Sequence, residues 1–336
     1  MRIPYEKMVS IFSDVLEKHG MSGKDAALSA KLFADASRDG VHSHGADRFP
    51  RFIRNIDDGF VDVSKRAVKE SSIGLIERWN GQKGAGNINA WVCMQRAVAL
   101  AKEHTIGVVA LHNTNHWMRA GNYGIEAAAE NCIALLWTNA MPNMPPWGSK
   151  DVLIGNNPIV LAVPHDDTPL VVDIACSMFS YGKLERYKAE GRECPVDGGI
   201  DEDGNVSRDP EAILRTRQLL PTGYWKGSGL AIALDLIAAS LSGGLTTKEV
   251  GLLPIETEVS QVFIAISMDA FPDKDEIERK IDETLRAINQ ATPLHSGTHV
   301  HYPGEGMKRE REKSEAEGVF VRDEIWNEIM DLYVKG

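Results

Sequence analysis

Ile106-Gly107-Val108-Val109-Ala110-Leu111-His112-Asn113-Thr114-Asn115-His116-Trp117-Met118-Arg119-Ala120-Gly121 opens as an unbroken apolar run and turns polar without a gap. The first six residues read as a β-strand. Polar residues at the C-terminal end of a strand stand where α/β sheets present groups to a ligand. His116 is therefore an acid/base candidate, with Asn113 and Asn115 as amides that could orient it. Taken alone, the same histidine reads equally as a loop residue hydrogen-bonded to backbone.

Outward from this strand the alternation continues. Strand candidates lie at 73–79, 133–137, 159–163, 170–174 and 262–268, and helical patterns at about 87–103, 121–130 and 229–241. The core is thus an α/β fold. Ahead of it, Met8, Val9, Ile11, Phe12, Val15 and Leu16 follow helical spacing until Gly20. A second helix runs through Ala26, Leu28, Ala30, Leu32 and Phe33, entered by a Ser22–Asp25 capping box. A short third helix is expected at 50–56. Toward the C-terminus, 273–290 and 307–333 read as amphipathic helices, the latter one continuous charge-paired element with a solvated face. The expected organisation is a helical region of residues 1–72 joined by 307–336, beside a mixed α/β core of 73–306. Residues 189–208, with turns at Pro195, Gly198-Gly199 and Asp203-Gly204-Asn205, form the least regular stretch, of the kind that serves as a lid or substrate wall.

The second helix stops on Asp39-Gly40-Val41-His42-Ser43-His44-Gly45-Ala46-Asp47-Arg48-Phe49-Pro50-Arg51-Phe52. Ser43 supplies a hydrogen-bonding hydroxyl, and His44 a group that exchanges protons near neutral pH. Arg48 adds a planar fork able to hold a carboxylate by two parallel bonds. Together they suit an oxo or hydroxy acid. By spacing alone the stretch reads equally as a solvated bend in which Gly40 and Gly45 take left-handed conformations.

Composition narrows the function classes. The chain has 336 residues, 43% of them hydrophobic and 25% charged, which is ordinary for a globular protein of one large or two interleaved domains. A net charge of -11 argues against nucleic acid or an anionic membrane as partner. Cys93, Cys132, Cys176 and Cys194 are scattered without a C-x-x-C pair, which favours a reducing cytoplasm. The start, Met1-Arg2-Ile3-Pro4-Tyr5-Glu6-Lys7, lacks a signal-peptide apolar region. The best apolar run, 229–241, carries Asp235 and is too short to span a bilayer. A cytoplasmic protein is expected.

Gly81, Gly84 and Gly86 have the wrong spacing for a G-x-G-x-x-G dinucleotide fingerprint, and Walker A, H-E-x-x-H and G-x-S-x-G motifs are missing. Another phosphate cradle is available at Pro221-Thr222-Gly223-Tyr224-Trp225-Lys226-Gly227-Ser228-Gly229, ahead of a helix expected from Leu230. Free N–H groups and the helix dipole would face an anion there, Lys226 would add charge, and Trp225 would offer a ring to stack on. The bland counterpart is a glycine-rich entry into a buried helix. His295-Ser296-Gly297-Thr298-His299-Val300-His301 raises a metal or ligand site, but no carboxylate or thiol context accompanies it, so no metal is assigned. A loop closing over a ligand fits better, with Glu305 placed to meet a ribose hydroxyl.

In this order, Ser43-His44-Gly45 with Arg48, Asn115-His116, Gly155-Asn156-Asn157-Pro158, Asp173-Ile174-Ala175 and the 220–229 cradle resemble the malate/L-lactate dehydrogenase-type family of NAD(P)-dependent oxidoreductases, unrelated to the Rossmann dehydrogenases. The resemblance covers nearly the whole chain. Ala175-Cys176-Ser177 and Gly223-Tyr224 depart from the malate-type strings. Asn115-His116-Trp117-Met118-Arg119, Met144-Pro145-Pro146-Trp147-Gly148 and Ser177-Met178-Phe179-Ser180-Tyr181-Gly182 point instead to a branch reducing a sugar acid or other 2-oxo acid. The resemblance implies a non-Rossmann mixed sheet, a homodimer with the active site near the subunit boundary, and NAD in an extended groove, NADPH remaining open. His44 would be the proton donor, Arg48 would hold the carboxylate, His116 would bond the reacting oxygen and Ser43 would steady the imidazole or the substrate. Asp201 would tune a histidine. Pro169, Leu170, Val171, Val172, Asp173, Ile174, Ala175, Trp225, Lys226, Gly304, Glu305 and Gly306 would line the cofactor site. Malate-, lactate- or ureidoglycolate-type dehydrogenases and cyclic imino acid reductases are the alternatives within the family, and a ligand- or metal-binding protein using the His295–His301 loop is the one outside it.

Overall fold

The computed structural model describes residues 1–335. In chain order its elements are β1 (Arg2–Ile3), α1 (Tyr5–Lys18), α2 (Gly23–Arg38), α3 (Phe49–Asp57), β2 (Val68–Ile73), β3 (Ile76–Asn80), α4 (Gly86–His104), β4 (Ile106–Thr114), α5 (Gly121–Ala129), β5 (Cys132–Thr138), β6 (Ile159–Val163), β7 (Leu170–Ile174), α6 (Tyr181–Ala189), β8 (Gly199–Ile200), β9 (Val206–Ser207), α7 (Pro210–Thr216), α8 (Trp225–Ser242), α9 (Thr247–Val250), β10 (Val259–Ser267), α10 (Lys274–Asn289), α11 (Glu305–Glu317), β11 (Val319–Phe320) and α12 (Asp323–Lys335).

Seven strands form the central sheet, in the order β2-β3-β4-β10-β5-β6-β7. Only β3 and β4 pair in parallel, joined through the crossover helix α4; every other pairing is antiparallel. This is the mixed, non-Rossmann sheet expected. The apolar run at 106–111 is explained by its position, since β4 is covered on both faces. Val109 and Leu111 pack into one core layer with Ala97, Ala101 and Phe263. Ala110 packs into the opposite layer with Ala231, Leu234 and Val262 of α8 and β10. Period-two alternation assigns the layers, and burial on both sides removes the polar residues that would show it.

The two chain ends share a third core. Met8, Phe12, Leu16, Phe33, Phe49 and Phe52 pack with Val319, Val321, Trp326 and Ile329, and β1 pairs with β11. The single helix expected over 307–333 is broken here: Gly318 ends α11 with φ 89°, and two residues of strand intervene before α12. Other boundaries shift for local reasons. The strand expected at 73–79 is a hairpin, turning at Gly74 between β2 and β3. The helix expected from Leu230 begins at Trp225 and encloses Gly227 and Gly229. The Ser22 hydroxyl bonds the Asp25 side chain instead of a backbone N–H, and Asp25 is taken by Arg66, so no capping box forms. The box that does form is at Thr246 and Glu249. The 189–208 stretch folds into the short β8–β9 ribbon.

These layers meet around Asp39, the residue that ends α2. Its carboxylate accepts Arg119 Nη1 at 2.7 Å, and Arg311 Nε and Nη2 at 2.9 and 2.8 Å, while the side chains of Asp39 and Arg119 are each only 1% exposed. Burial pushes the Asp39 carboxyl up, but the Arg311 and Arg119 guanidiniums outweigh it and hold the pKa at about 2. Asp39→Asn should therefore cost about 3–5 kcal/mol by stranding Arg119, as breaking buried pairs does. The Asp39 contribution, present above the ordinary carboxylate range, is lost as pH falls through about 2. Denaturant unfolding of wild type and variant at pH 7 measures the loss, and a variant within 1 kcal/mol of wild type would refute it.

Candidate active site

The turn after Asp39 is built to bring its side chains inward. His42–His44 and Ala46–Arg48 each form a turn of 3-10 helix, leading into α3. Gly40 is left-handed, φ 84°, as the bend requires. Gly45 is not: its φ is -107°. Glycine is needed there because a Cβ would lie 2.1 Å from Ser37 Oγ. Ser37 staples the turn to α2, its hydroxyl donating to Phe33 O and accepting the Ala46 N–H at 2.8 Å.

The string after β4 reaches the same place from the sheet. Asn115 and Asn113 do not orient an imidazole. The Asn115 amide donates to the backbone oxygens of Lys83, Gly84 and Phe60, and that of Asn113 to the side-chain Oδ1 of Asn80, so neither meets an imidazole. Gly86 lets α4 start against this strand, since a Cβ there would sit 2.1 Å from Asn115 O. The misplaced glycines of the failed dinucleotide fingerprint therefore serve close packing, Gly86 against Asn115 and His116, Gly81 against Asn113 and Thr114, and Gly84 against Lys65.

His44 and His116 stack with ring centroids 5.7 Å apart and planes 22° from parallel. His44 Nδ1 lies 2.9 Å from Ser43 Oγ. His116 Nδ1 accepts the Met118 N–H at 2.9 Å, from a Met118 in the left-handed region, φ 61°. A backbone N–H can only donate, so the neutral His116 ring carries its proton on Nε2. Ser43 Oγ can donate or accept, so His44 keeps its bond in either protonation state.

Both imidazoles are half-buried in a cleft walled by protein. Burial lowers the His44 pKa to about 4, helped by the charges of Arg48 and Arg119. Burial, then Arg48 and His44, pushes His116 well below its ordinary value. Arg48 is itself lowered to about 10 by burial and Arg51, opposed by Glu256 and Glu185, and stays cationic at neutral pH. Among the described residues, no carboxylate forms an ion pair with Arg48. Two neutral imidazoles and an unpaired guanidinium thus share one cleft. The start of α6 adds a wall, where a Cβ on Gly182 would approach Ser43 Cβ to 3.0 Å.

The cofactor segments expected from the sequence line up along β7, the edge strand of the sheet. At its start, Pro303 O accepts the Val171 N–H, and a Cβ on Gly304 would meet Pro169 O at 2.4 Å. At its end, Cys176 O accepts the Thr222 N–H just ahead of α8. Tyr224 gives the N-terminus of α8 no side-chain cap, and Trp225 is 65% exposed. In between, Asp173 Oδ2 accepts the Gly121 N–H that opens α5. The Lys226, Gly227 and Ser228 N–H groups are taken by Gly223 O, Thr222 O and Tyr224 O, so what suits a dinucleotide here is the positive end of the helix dipole, the Lys226 charge, an exposed indole and a strand edge. Glu305 accepts Tyr302 N–H and Asn289 Nδ2.

Two expected residues lie elsewhere. Asp201 is committed to the β8–β9 turn, where Oδ1 accepts the N–H groups of Asp203 and Asn205, and it meets no histidine. In the 295–301 loop, His299 and His301 are 6.2 Å apart ring to ring and His301 pairs with Glu305, but no three-ligand group forms there among the described residues. Arg119 and Asp39, which tie the two halves of the cleft together, carried no local signal, since they sit 80 residues apart.

The low imidazole pKa carries a consequence for stability. A histidine held neutral in the fold binds fewer protons than in the unfolded chain between about pH 6.5 and 4, so stability falls as pH drops across that window. His44→Gln should flatten part of this slope. Histidine NMR titration should place one imidazole near pH 4 in wild type; titration of every imidazole above pH 6 would contradict the assignment.

The chain matches the family model described as malate/L-lactate dehydrogenase over residues 3–330. It is 41% identical over 333 residues to the 2,3-diketo-L-gulonate reductase of Citrobacter koseri, covering 99% of this chain and 100% of that protein. Sulfolactate dehydrogenase from Methanocaldococcus jannaschii superposes with a TM-score of 0.90 at 29% identity, over 100% of this chain and 97% of that one. Malate dehydrogenase from Pyrococcus horikoshii OT3 gives 0.89 at 27% identity, over 100% and 95%.

Proposed function

The chain belongs to the malate/L-lactate dehydrogenase family, an oxidoreductase family acting on hydroxy and oxo acids, and we propose that it is a reductase of 2,3-diketo-L-gulonate using NADH. The observation that carries the acid-substrate reading is the enclosed Arg48 with no carboxylate partner beside two neutral imidazoles. The full-length identity to reductases of that name supports the sugar-acid branch.

In this reading Arg48 takes the substrate carboxylate in a bidentate grip, which sets the face of the neighbouring carbonyl. That carboxylate offsets the Arg48 charge, which after burial is the next cause of the low His44 pKa, and so favours the ring taking up its proton. His44 donates it from Nε2 to the carbonyl oxygen, while Ser43 Oγ holds Nδ1. His116 hydrogen-bonds the same oxygen through Nε2–H without changing protonation, because a second proton on Nδ1 would displace the Met118 N–H. Pro169 to Ala175, Trp225, Lys226 and Gly304 to Gly306 would hold the dinucleotide along β7. Bound there, a reduced nicotinamide supplies hydride to the carbonyl carbon, and the product is the 2-hydroxy acid.

We also propose a homodimer in the cytoplasm. Ala231, Leu234 and Ala238 face the sheet from α8, while Leu230, Ile232, Leu236 and Ile237 on its other faces are 39–54% exposed. A helix apolar all round belongs in an interior, and a second copy would bury it near the cofactor strand. All four cysteines are free and buried, which suits a reducing compartment, and no helix of the described residues is long and apolar enough to cross a membrane. Leu236→Asp should shift light-scattering mass from dimer to monomer; a wild-type monomer would remove the dimer from the reading.

The central test is NADH and NADPH oxidation across 2,3-dioxo, 2-oxo and cyclic imino acids. The expected outcome is fastest turnover of 2,3-diketo-L-gulonate with NADH, and a preference for malate, lactate, ureidoglycolate or imino acid chemistry would reassign the substrate. His44→Ala should lower kcat by about 10²–10⁴, the usual contribution of a proton-transfer group, and leave NADH affinity intact. Arg48→Lys should chiefly raise KM, since a point charge cannot reproduce the fork. Near-normal kinetics in either variant would remove that residue from its role.

A further inference from the structure

Away from the cleft, the turn between β6 and β7 faces α10 across a group of ligand-forming side chains. His165 and Asp166 come from the turn and Asp282 from the helix, and one donor atom of each lies within 4.8 Å of the others. A cavity of about 150 Å³ opens beside them, lined also by Glu278 and Asn131. His165 Nδ1 lies 3.4 Å from Thr168 O, a carbonyl that can only accept. Tyr302 Oη lies at the same 3.4 Å from Nδ1 and donates its own proton to Thr168 O at 3.2 Å; in that arrangement Nδ1 carries the ring proton and Nε2 a lone pair. Nε2 is shielded from solvent and has no hydrogen-bond partner. It faces Asp282 Oδ1 at 3.5 Å, longer than the 2.7–2.9 Å of a charge-assisted bond. That oxygen already draws one cation, Arg286 Nε at 2.8 Å, and its spacing from Nε2 is one that a shared metal ion can bridge.

We propose that His165, Asp282 and Asp166 form a binding site for a divalent transition-metal ion of the zinc type. The ligand chemistry is one imidazole nitrogen and carboxylate oxygens, which suits zinc better than the all-oxygen preference of magnesium or calcium. An imidazole whose other nitrogen donates to a backbone carbonyl is the usual outer support of such a ligand. Arg286 now pairs with Asp282 at 2.8 Å but is 71% exposed, free to swing into solvent when an ion takes its place. Glu278 supplies a further carboxylate on the cavity wall. Tyr302 packs edge-on against the His165 ring and donates to Thr168 O. An ion here would brace α10 and the Tyr302 segment against the turn that leads into β7.

The test is calorimetric titration of Zn²⁺, and separately Mg²⁺, into the chelator-treated full-length protein. The expected result is one Zn²⁺ per chain, a raised Tm and weak or no Mg²⁺ binding. His165→Ala and Asp282→Asn should each weaken Zn²⁺ at least about tenfold, the lower bound seen even for outer-shell losses. Asp166→Asn, at an exposed turn tip, should weaken it without touching the fold, and His299→Ala should leave it unchanged. Absence of saturable Zn²⁺ binding would overturn the proposal. So would binding that survives the His165 and Asp282 changes but is lost with His299, since the ion would then belong to the exposed histidine loop.

Discussion

The buried charge cluster at Asp39 is the constraint on which the cleft depends. A carboxylate with a side chain 1% exposed is tolerable because Arg119 and Arg311 satisfy it, with the adjacent Arg38 Nε adding a bond at 3.1 Å. Each comes from a different layer: Arg119 from the loop after β4, Arg311 from α11. Ser314 Oγ adds a bond to Arg38 O, and Arg119 Nη2 contacts Met307 Sδ, so α11 is locked across the end of α2. The turn bearing Ser43, His44 and Arg48 starts one residue later. Its position relative to His116 is thus set by an ion pair between the helical layer and the sheet loop.

That arrangement explains what the sequence discloses and what it conceals. The helices, the α/β alternation and the apolar strands were legible because periodicity is local, and β4 was read correctly although its length was underestimated. The strand ends at Thr114, not Leu111, because His112 pairs with Asn80 and Thr114 with Val259 across an irregularity at Asn113. The break at Gly318 was concealed because Val319 and Phe320 form a strand only with Arg2 and Ile3, more than 300 residues away. The Ser43, His44 and Arg48 turn stood out as a cluster of chemistry within one short string. Asp39 and Arg119 lay inside the quoted strings without a role, since a long-range pair leaves no trace in spacing. The failed fingerprint at Gly81, Gly84 and Gly86 is informative in the same way. Gly81 and Gly86 answer to the backbone of Asn113, Asn115 and His116, and Gly84 to that of Lys65.

The same sheet order accounts for how a dinucleotide would be held without the Rossmann turn. In a doubly wound fold the first strand runs directly into a helix whose N-terminus meets the pyrophosphate. Here β7 is an antiparallel edge strand, and the helix end near it belongs to α8, 51 residues later, counting from Ile174 to Trp225. Backbone bonds between Met178 and Leu220 and between Thr222 and Cys176 bring the two together. What this helix end would offer an anion, its dipole and the Lys226 charge, is brought to the strand by the fold's topology and not by a glycine motif, so a fingerprint search passes over it.

Within the cleft, two similar imidazoles are made unlike by one backbone hydrogen bond. The Met118 N–H holds His116 Nδ1 as an acceptor, so protonating that ring would mean breaking a buried bond as well as adding charge beside Arg48. Ser43 Oγ imposes no such penalty on His44. The pair therefore divides into a fixed donor and a ring free to titrate, whose pKa is lowered first by burial and then by the charges of Arg48 and Arg119. Arg48 lacks an internal partner, so the field it exerts on His44 is at full strength only while the cleft holds no anion. A carbonyl compound without a carboxylate would leave that field in place, adding to the burial that disfavours the protonated imidazole. In the proposed reaction, selection for an acid is then built into the proton supply as well as into the grip of the guanidinium.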